Sequence, residues 1–180
     1  MLRLTALLAI LALAACDSAE VETETPVPTG TFTALLNGKP WSAPATYRAA
    51  PEAGTFFLKA TQYDSLTYYT QGLTFSYPGA GFAEGEEPEL WRYDEATGRT
   101  YGGSFSELRG DARVNTWVPT EENASRLRIV EVDSVAGRLR ATFEGILVAA
   151  NPPNDPYQVL PDTLRFERGE FVIDLPGGGS

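Results

Sequence analysis

RLRIVEVDSVAGRLRATFEGILVA, residues 126–149, decides the fold class. In its second half Leu139, Ala141, Phe143, Gly145 and Leu147 occupy one parity, and Arg138, Arg140, Thr142 and Glu144 the other. A period of two places successive side chains on opposite faces of a half-buried strand. The first half alternates Leu127, Ile129 and Glu131 against Arg128, Val130 and Val132, and Ser134-Val135-Ala136-Gly137 joins the halves as a turn. The stretch therefore predicts a β-hairpin with one face in a core.

Working outward, the same grammar recurs. TFFLKATQY (55–63) sets Phe56, Leu58 and Ala60 against Phe57, Lys59 and Thr61, and LTFSY (73–77) is a further strand ended by Pro78-Gly79. TFTALLNGKPWSA (31–43) carries Asn37-Gly38, a strong two-residue hairpin signal, with Trp41 on the returning strand. LWRYDEATGRTYGG (90–103) predicts a hairpin turning over Asp94 to Gly98. PGAGFAEGEEPE (78–89) and NPPNDPYQVLP (151–161) are loops; four prolines in the second withdraw ladder donors. SELRGDARVNTWVPTEENAS (106–125) looks irregular, with room for one short helix, and DTLRFERGEFVIDL (162–175) predicts two short strands around Arg168-Gly169. Frequent short strands without 3.6-residue periodicity indicate an all-β domain, a single antiparallel sandwich or flattened barrel over residues 31–175.

Ahead of this domain, Arg3 precedes the apolar run Leu4 to Leu13 and the small residues Ala14 and Ala15, the layout of a signal peptide over residues 1–15. The run is shorter than the roughly 20 apolar residues that span a bilayer. Leu13-Ala14-Ala15-Cys16 resembles the lipobox of bacterial lipoproteins, which implies diacylglycerol on the Cys16 thiol and cleavage just before it. Two or three acyl chains anchor a protein firmly where one does not. Residues 16–30, with Asp17, Glu20, Glu22 and Glu24, read as an acidic, disordered tether. This predicts a cell-envelope location with the bilayer as partner through Cys16. The acids behind the cysteine resemble a signal for export to the cell surface in Gram-negative lipoproteins, which implies the outer rather than the inner membrane, the domain facing periplasm or medium. Residues 176–180, PGGGS, are a flexible tail.

The strand pattern as a whole resembles a family of uncharacterised β-rich lipoproteins. Asn37, Gly38, Lys39 and Trp41 near the start match it, as do Phe143, Gly169 and Phe171 near the end. The sequence departs from the pattern at Arg140-Ala141-Thr142-Phe143, where a glycine is expected shortly before the threonine. The resemblance implies a lipid-anchored β domain and assigns no activity.

Composition narrows the chemistry. Without Arg3 the chain has 13 basic and 24 acidic residues, a formal charge of −11. This argues against nucleic acid, whose phosphates demand a basic footprint. Histidine is absent and Cys16 is the single cysteine, which removes Ser-His-Asp and Cys-His nucleophile systems and zinc sites built from those ligands. Lys39 and Lys59 are the whole lysine supply, and neither follows a Ser-x-x-Lys frame. No cofactor motif is present. The leading expectation is a non-enzymatic envelope lipoprotein, a binding or structural module.

Two alternatives stand beside it. One is a lipocalin-like carrier of a small apolar ligand, faintly echoed by Gly38-Lys39-Pro40-Trp41; the other is a glycan hydrolase using a carboxylate pair. Glu84, Glu86, Glu87 and Glu89, with Asp94 and Glu95, are weak calcium candidates, lacking the spacing of a calcium loop. Trp91, Tyr93, Tyr101 and Trp117 are the candidate ligand-facing aromatics, against the commoner role of such residues in a core. Arg126, Arg128, Arg138 and Arg140 share a sheet face that opposes the acids or spaces charge across strands.

Overall fold

The computed structural model describes residues 30–50, 55–78, 82–94, 99–120, 125–150 and 158–175, of which 49–50, 91–94 and 99–101 are described by backbone alone. The predicted signal segment, Cys16, the tether up to residue 29, the tail, Glu95 and the 95–98 turn lie outside the described residues.

Among the described residues the chain forms ten strands in one antiparallel sheet. They are β1 (Gly30–Leu36), β2 (Lys39–Ala50), β3 (Thr55–Asp64), β4 (Tyr69–Pro78), β5 (Trp91–Asp94), β6 (Arg99–Arg109), β7 (Ala112–Pro119), β8 (Arg126–Asp133), β9 (Arg138–Ala149) and β10 (Thr163–Asp174). The order runs β10-β1-β2-β3-β4-β6-β7-β9, and β10 also pairs with β9, so eight strands close a barrel. Of the two architectures predicted, the barrel is the one formed. Its two ends are named here for residues they carry: the Gly30 end, where β1 begins, and the Asn37 end, where it turns into β2.

That first turn follows its chemistry. Asn37 and Gly38 both adopt left-handed backbone, with φ of 50° and 76°. This is the conformation a two-residue hairpin needs and that Asn-Gly tolerates best. Asn37 is also tied across the barrel seam: its N–H donates to the Arg165 carbonyl at 2.8 Å, and its Oδ1 accepts from the Arg165 N–H at 2.8 Å.

β9 holds three neighbours. Its residues 147–149 pair with β7 and its residues 138–144 with β8, both along one edge, while β10 runs along the other. β7 and β8 are thus two collinear pieces of one strand position. At the break the ladder is patched by a side chain: the Ser125 hydroxyl accepts from the Ile146 N–H and donates to the Ile146 carbonyl, each at 3.0 Å. Gly145 makes room, because a Cβ there would sit 2.3 Å from Ser125 Oγ.

Three strands carry an extra residue. In β7 the register against β6 shifts between Glu107 and Leu108, which leaves Val114 over, next to Asn115. In β8 the register against β9 shifts between Ile129 and Glu131, so Val130 bulges out, 38% exposed, and Val132 turns back to pack against the core. The unbroken alternation expected for residues 127–132 therefore changes phase midway. In β10 the register shifts between Phe166 and Gly169 against β9, and opposite Thr33 and Leu35 against β1. Arg168 takes a φ of 54° there. The two short strands expected around Arg168-Gly169 are one strand with a bulge, which bends it without ending it.

The interior is aromatic. Phe32 and Phe171 lie 4.3 Å apart between ring centroids, Phe75 and Phe143 4.9 Å, Phe143 and Phe166 5.4 Å, and Phe105 and Phe166 5.7 Å. Phe32, Phe75, Phe105, Phe143, Phe166 and Phe171 are essentially unexposed, and each buried ring contributes a large apolar area plus edge-to-face attraction. At the Gly30 end Phe82 stands 4.1 Å from Phe56 and 5.8 Å from Tyr77, capping the column.

The patch at Ser125 makes a specific demand on stability. Ser125→Ala leaves the Ile146 N–H and carbonyl half-buried without these partners, and an unsatisfied buried polar group costs about 1–3 kcal/mol. A fall in urea midpoint at unchanged m-value is the expected result; an unchanged midpoint contradicts the patch.

Candidate functional site

Read along the barrel axis, the inward positions of β4, β6 and β7 change character. The register places Leu73 opposite Phe105 and Phe105 opposite Trp117, an apolar layer. Two residues nearer the Asn37 end the same strands place Gln71 opposite Glu107 and Glu107 opposite Asn115. All three are buried: Gln71 is 9% exposed, Asn115 3% and Glu107 0%. Period-two alternation runs on past the aromatic column and turns three polar side chains inward, forming a polar belt over the packed core.

The belt is bound into a one-way chain. The Trp41 indole N–H donates to Gln71 Oε1 at 2.8 Å. Gln71 Nε2 donates to the Tyr69 hydroxyl at 2.9 Å, and that hydroxyl donates to Glu107 Oε1 at 2.7 Å. An indole nitrogen can only donate, which fixes the Gln71 amide orientation and, through it, the direction of each later bond. Burial, first, raises the Tyr69 phenol well above its ordinary value, and the neighbouring carboxylate adds to this. The phenol therefore stays a proton donor across the physiological range. Arg109 stands over the Tyr69 ring at 5.7 Å, a cation–π distance.

Segment 158–162 lies across this end as a strap. The Val159 N–H donates to Glu107 Oε1 at 3.2 Å, and Asn115 Nδ2 donates to Gln158 Oε1 at 2.6 Å. Gln158 Nε2 braces the strap through Leu160 O at 2.7 Å and Asp162 Oδ1 at 3.1 Å. The Trp117 indole donates to the Pro161 carbonyl at 2.9 Å. Glu107 Oε1 thus receives two donors, whereas Oε2 is buried with no hydrogen-bond partner. Such an oxygen is costly in a low-dielectric interior, and orphaned groups of this kind mark strained or functional positions.

The hairpin tip beside the strap is stiff and apolar. Asp64 accepts from the Leu66 N–H at 2.9 Å and the Thr67 hydroxyl at 2.8 Å, and Tyr68 takes a φ of 53°. Tyr63, Leu66 and Tyr68 project to solvent around it, Leu66 being 90% exposed.

The sequence-predicted residues fall elsewhere. Trp117 is 0% exposed and packs 5.8 Å from Phe105, so this aromatic is a core strut beneath the belt and faces no ligand surface. Trp91, Tyr93 and Tyr101 lie on β5 and β6, where the backbone alone is described. Glu84, Glu86, Glu87 and Glu89 are exposed at the Gly30 end. Among the described residues no three acidic side chains gather as metal ligands. Glu87 instead stands 3.8 Å from Arg126 and 3.9 Å from Arg128, and Glu86 Oε2 accepts from the Ala83 N–H at 3.0 Å. The backbone of Gly85 and Glu86 exchanges two hydrogen bonds of 2.9 Å with Ile129, which docks the acidic loop on the free edge of β8. Arg140 bridges Glu131 and Glu170 at 3.4 and 2.7 Å, so the arginine face carries cross-strand charge pairs.

The belt itself went unseen in the sequence. Within residues 106–125, expected to be irregular with room for a short helix, residues 106–119 form the end of β6, a tight turn at Gly110 and β7. Glu107 and Asn115 occupy inward positions that a hydrophobic period counts as outward, and this hid β7 and the second half of β6, whose first half the 90–103 hairpin predicts. The usable signal was the parity of the inward neighbours: Phe105 stands two before Glu107 and Trp117 two after Asn115.

Tyr69→Phe removes the hydroxyl that serves both Gln71 and Glu107, and should cost about 1–3 kcal/mol; unfolding in denaturant measures it, and coupling to Gln71→Leu in a double-mutant cycle should be non-zero. At the tip, the hydrogen bonds from Thr67 and Leu66 hold the Asp64 carboxyl below the ordinary aspartate value of 3.8. Its ordering of the turn is therefore present above that value and lost as pH falls through the lowered one. An NMR titration of Asp64 checks this, with a midpoint at or above 3.8 contradicting the turn geometry.

No protein-family model, curated protein or solved structure matches the chain.

Proposed function

We propose that the protein is a non-enzymatic, lipid-anchored module of the cell envelope that binds through the mouth of its barrel at the Asn37 end. The observation that carries this reading is polarity of the architecture. β1 starts at Gly30, so a tether from Cys16 joins one end of the barrel, while the polar belt, the strap and exposed Tyr63, Leu66 and Tyr68 occupy the other. A tether of that length reaches up to about 50 Å when extended. Residues at the Asn37 end then face away from the membrane, outer rather than inner, toward periplasm or medium. The bilayer is the partner through acylated Cys16.

The alternatives fare less well on the same geometry. A lipocalin-like carrier needs an apolar cavity inside the barrel, and the column of Phe32, Phe75, Phe105, Phe143, Phe166 and Phe171 occupies that space with rings in contact. A carboxylate-pair hydrolase needs two facing acids, and among the described residues Glu107 is the one buried carboxyl group.

Intact mass and detergent partitioning of protein from its native membrane, beside Cys16→Ser, test the anchor. The expected result is an N-terminus at diacylated Cys16 in the detergent phase, lost in the variant. An unmodified, water-soluble protein contradicts it.

A further inference from the structure

We propose that the polar belt is a recognition site for a ligand bearing a cationic nitrogen, an alkylammonium group, which hydrogen-bonds Glu107 Oε2 when segment 158–162 lifts. The inference deepens the reading of the mouth as the binding end, and rests on it.

The carboxylate is built to receive a donor. Glu107 is 0% exposed, its Oε1 is saturated by the Tyr69 hydroxyl and the Val159 N–H, and its Oε2 is buried with nothing donating to it. Both donors that reach Oε1 are neutral. An ammonium nitrogen would bring a charge-assisted bond to the oxygen that lacks one, and such bonds are about twice as strong as neutral ones. A carboxylate or phosphate ligand would meet a buried acid and be repelled. Tyr69, whose hydroxyl donates to Glu107, places an aromatic ring next to the carboxylate, and a cation already rests on that ring in the form of Arg109.

The strap is fastened so that it can be released. Over Glu107 its ties are single hydrogen bonds from Val159, Asn115 and Trp117, and Val159 is 63% exposed. The Ala149 N–H donating to the Asp162 carbonyl at 2.8 Å and the packing of Leu160 against the core hold the strap at its Asp162 end. The wall beside it is also incomplete. β2 pairs with β3 only from Ala45, opposite Ala60, so Lys39–Pro44 and Thr61–Asp64 have no ladder between them. Pro40 and Pro44, which have no N–H to give, stand in this unpaired stretch. The sheet is open at the mouth where a ligand would enter.

Two-dimensional amide NMR of the purified full chain tests this, with n-butylammonium as probe and butyrate and butan-1-ol as isosteric anionic and neutral controls. Butylammonium alone should give saturable shifts of the Trp41 indole N–H and the Val159 amide. Glu107→Gln should weaken binding by about tenfold or more, since the amide puts a donor or a weaker acceptor at Oε2. Val159→Pro, which removes the N–H that ties the strap to Glu107, should tighten it by about threefold to tenfold. Glu107→Gln that melts like the parent yet binds equally overturns the proposal, and so does Val159→Pro with unchanged affinity, an arm that stands even where Glu107→Gln fails to fold. Shifts with butan-1-ol as strong as with butylammonium overturn the cationic ligand while keeping the mouth as the binding end. No saturable shift with any probe overturns the proposal, and the mass measurement on Cys16 still decides the anchoring separately.

Discussion

Everything in this protein hangs on one strand having two partners. β10 pairs with β1 over Phe166–Ile173 on one side and with β9 over Thr163–Asp174 on the other, which joins the first strand of the domain to the last and removes the two long edges an open sheet would present there. Closure of this kind is entropically demanding, because β1 and β10 lie more than a hundred residues apart in the chain and must meet before either is rewarded. It is offset by what closure encloses. Phe32 of β1 meets Phe171 of β10 across the shut seam, and Phe166 of β10 meets Phe143 of β9 on the other side of the same strand. The bulge at Arg168 shifts register against both neighbours at one level, so a single irregularity bends the seam without breaking it.

Filling the barrel with rings has a functional consequence. Such a core is rigid and leaves recognition to the ends. The two ends are unlike. The Gly30 end is capped by Phe82 and flanked by an acidic loop whose Glu87 pairs with Arg126 and Arg128 and whose backbone is bonded to β8. The Tyr77 hydroxyl is buried there without a hydrogen-bond partner, and burial raises its pKa well above the ordinary tyrosine value. The Asn37 end instead carries a directed hydrogen-bond chain that terminates on a buried carboxylate. Keeping a carboxylate in such a place costs free energy that an apolar side chain would avoid, and a strap of five residues is committed to covering it. A buried carboxylate oxygen without a donor at one end, against an uncharged orphaned hydroxyl at the other, is the physical reason the proposed binding is assigned to the mouth.

Much of the fold was legible in the sequence, and the reasons are local. Asn37-Gly38 announced its hairpin through backbone conformation alone, and residues 138–147 announced β9 through strict parity. Legibility failed where parity was interrupted or disguised. Val130 and Arg168 are single extra residues, and a bulge looks in sequence like a phase error or a strand end. Glu107 and Asn115 broke the apolar period because the barrel interior itself turns polar at that height, a fact set by the register of three strands. Sequence alone leaves Trp117, beside turn-rich sequence, between a ligand surface and the commoner core role, and the fold places it in the core beneath the belt.

The account depends most on closure through β10, and native-state hydrogen exchange tests that directly. If the seam is shut in solution, backbone amides of β1, β9 and β10 exchange together, in one cooperative unit, at the free energy of global unfolding. Amides of β10 that exchange separately and faster than those of β3 and β4 would mean an open sheet, and would contradict both the enclosed aromatic column and the mouth built on it.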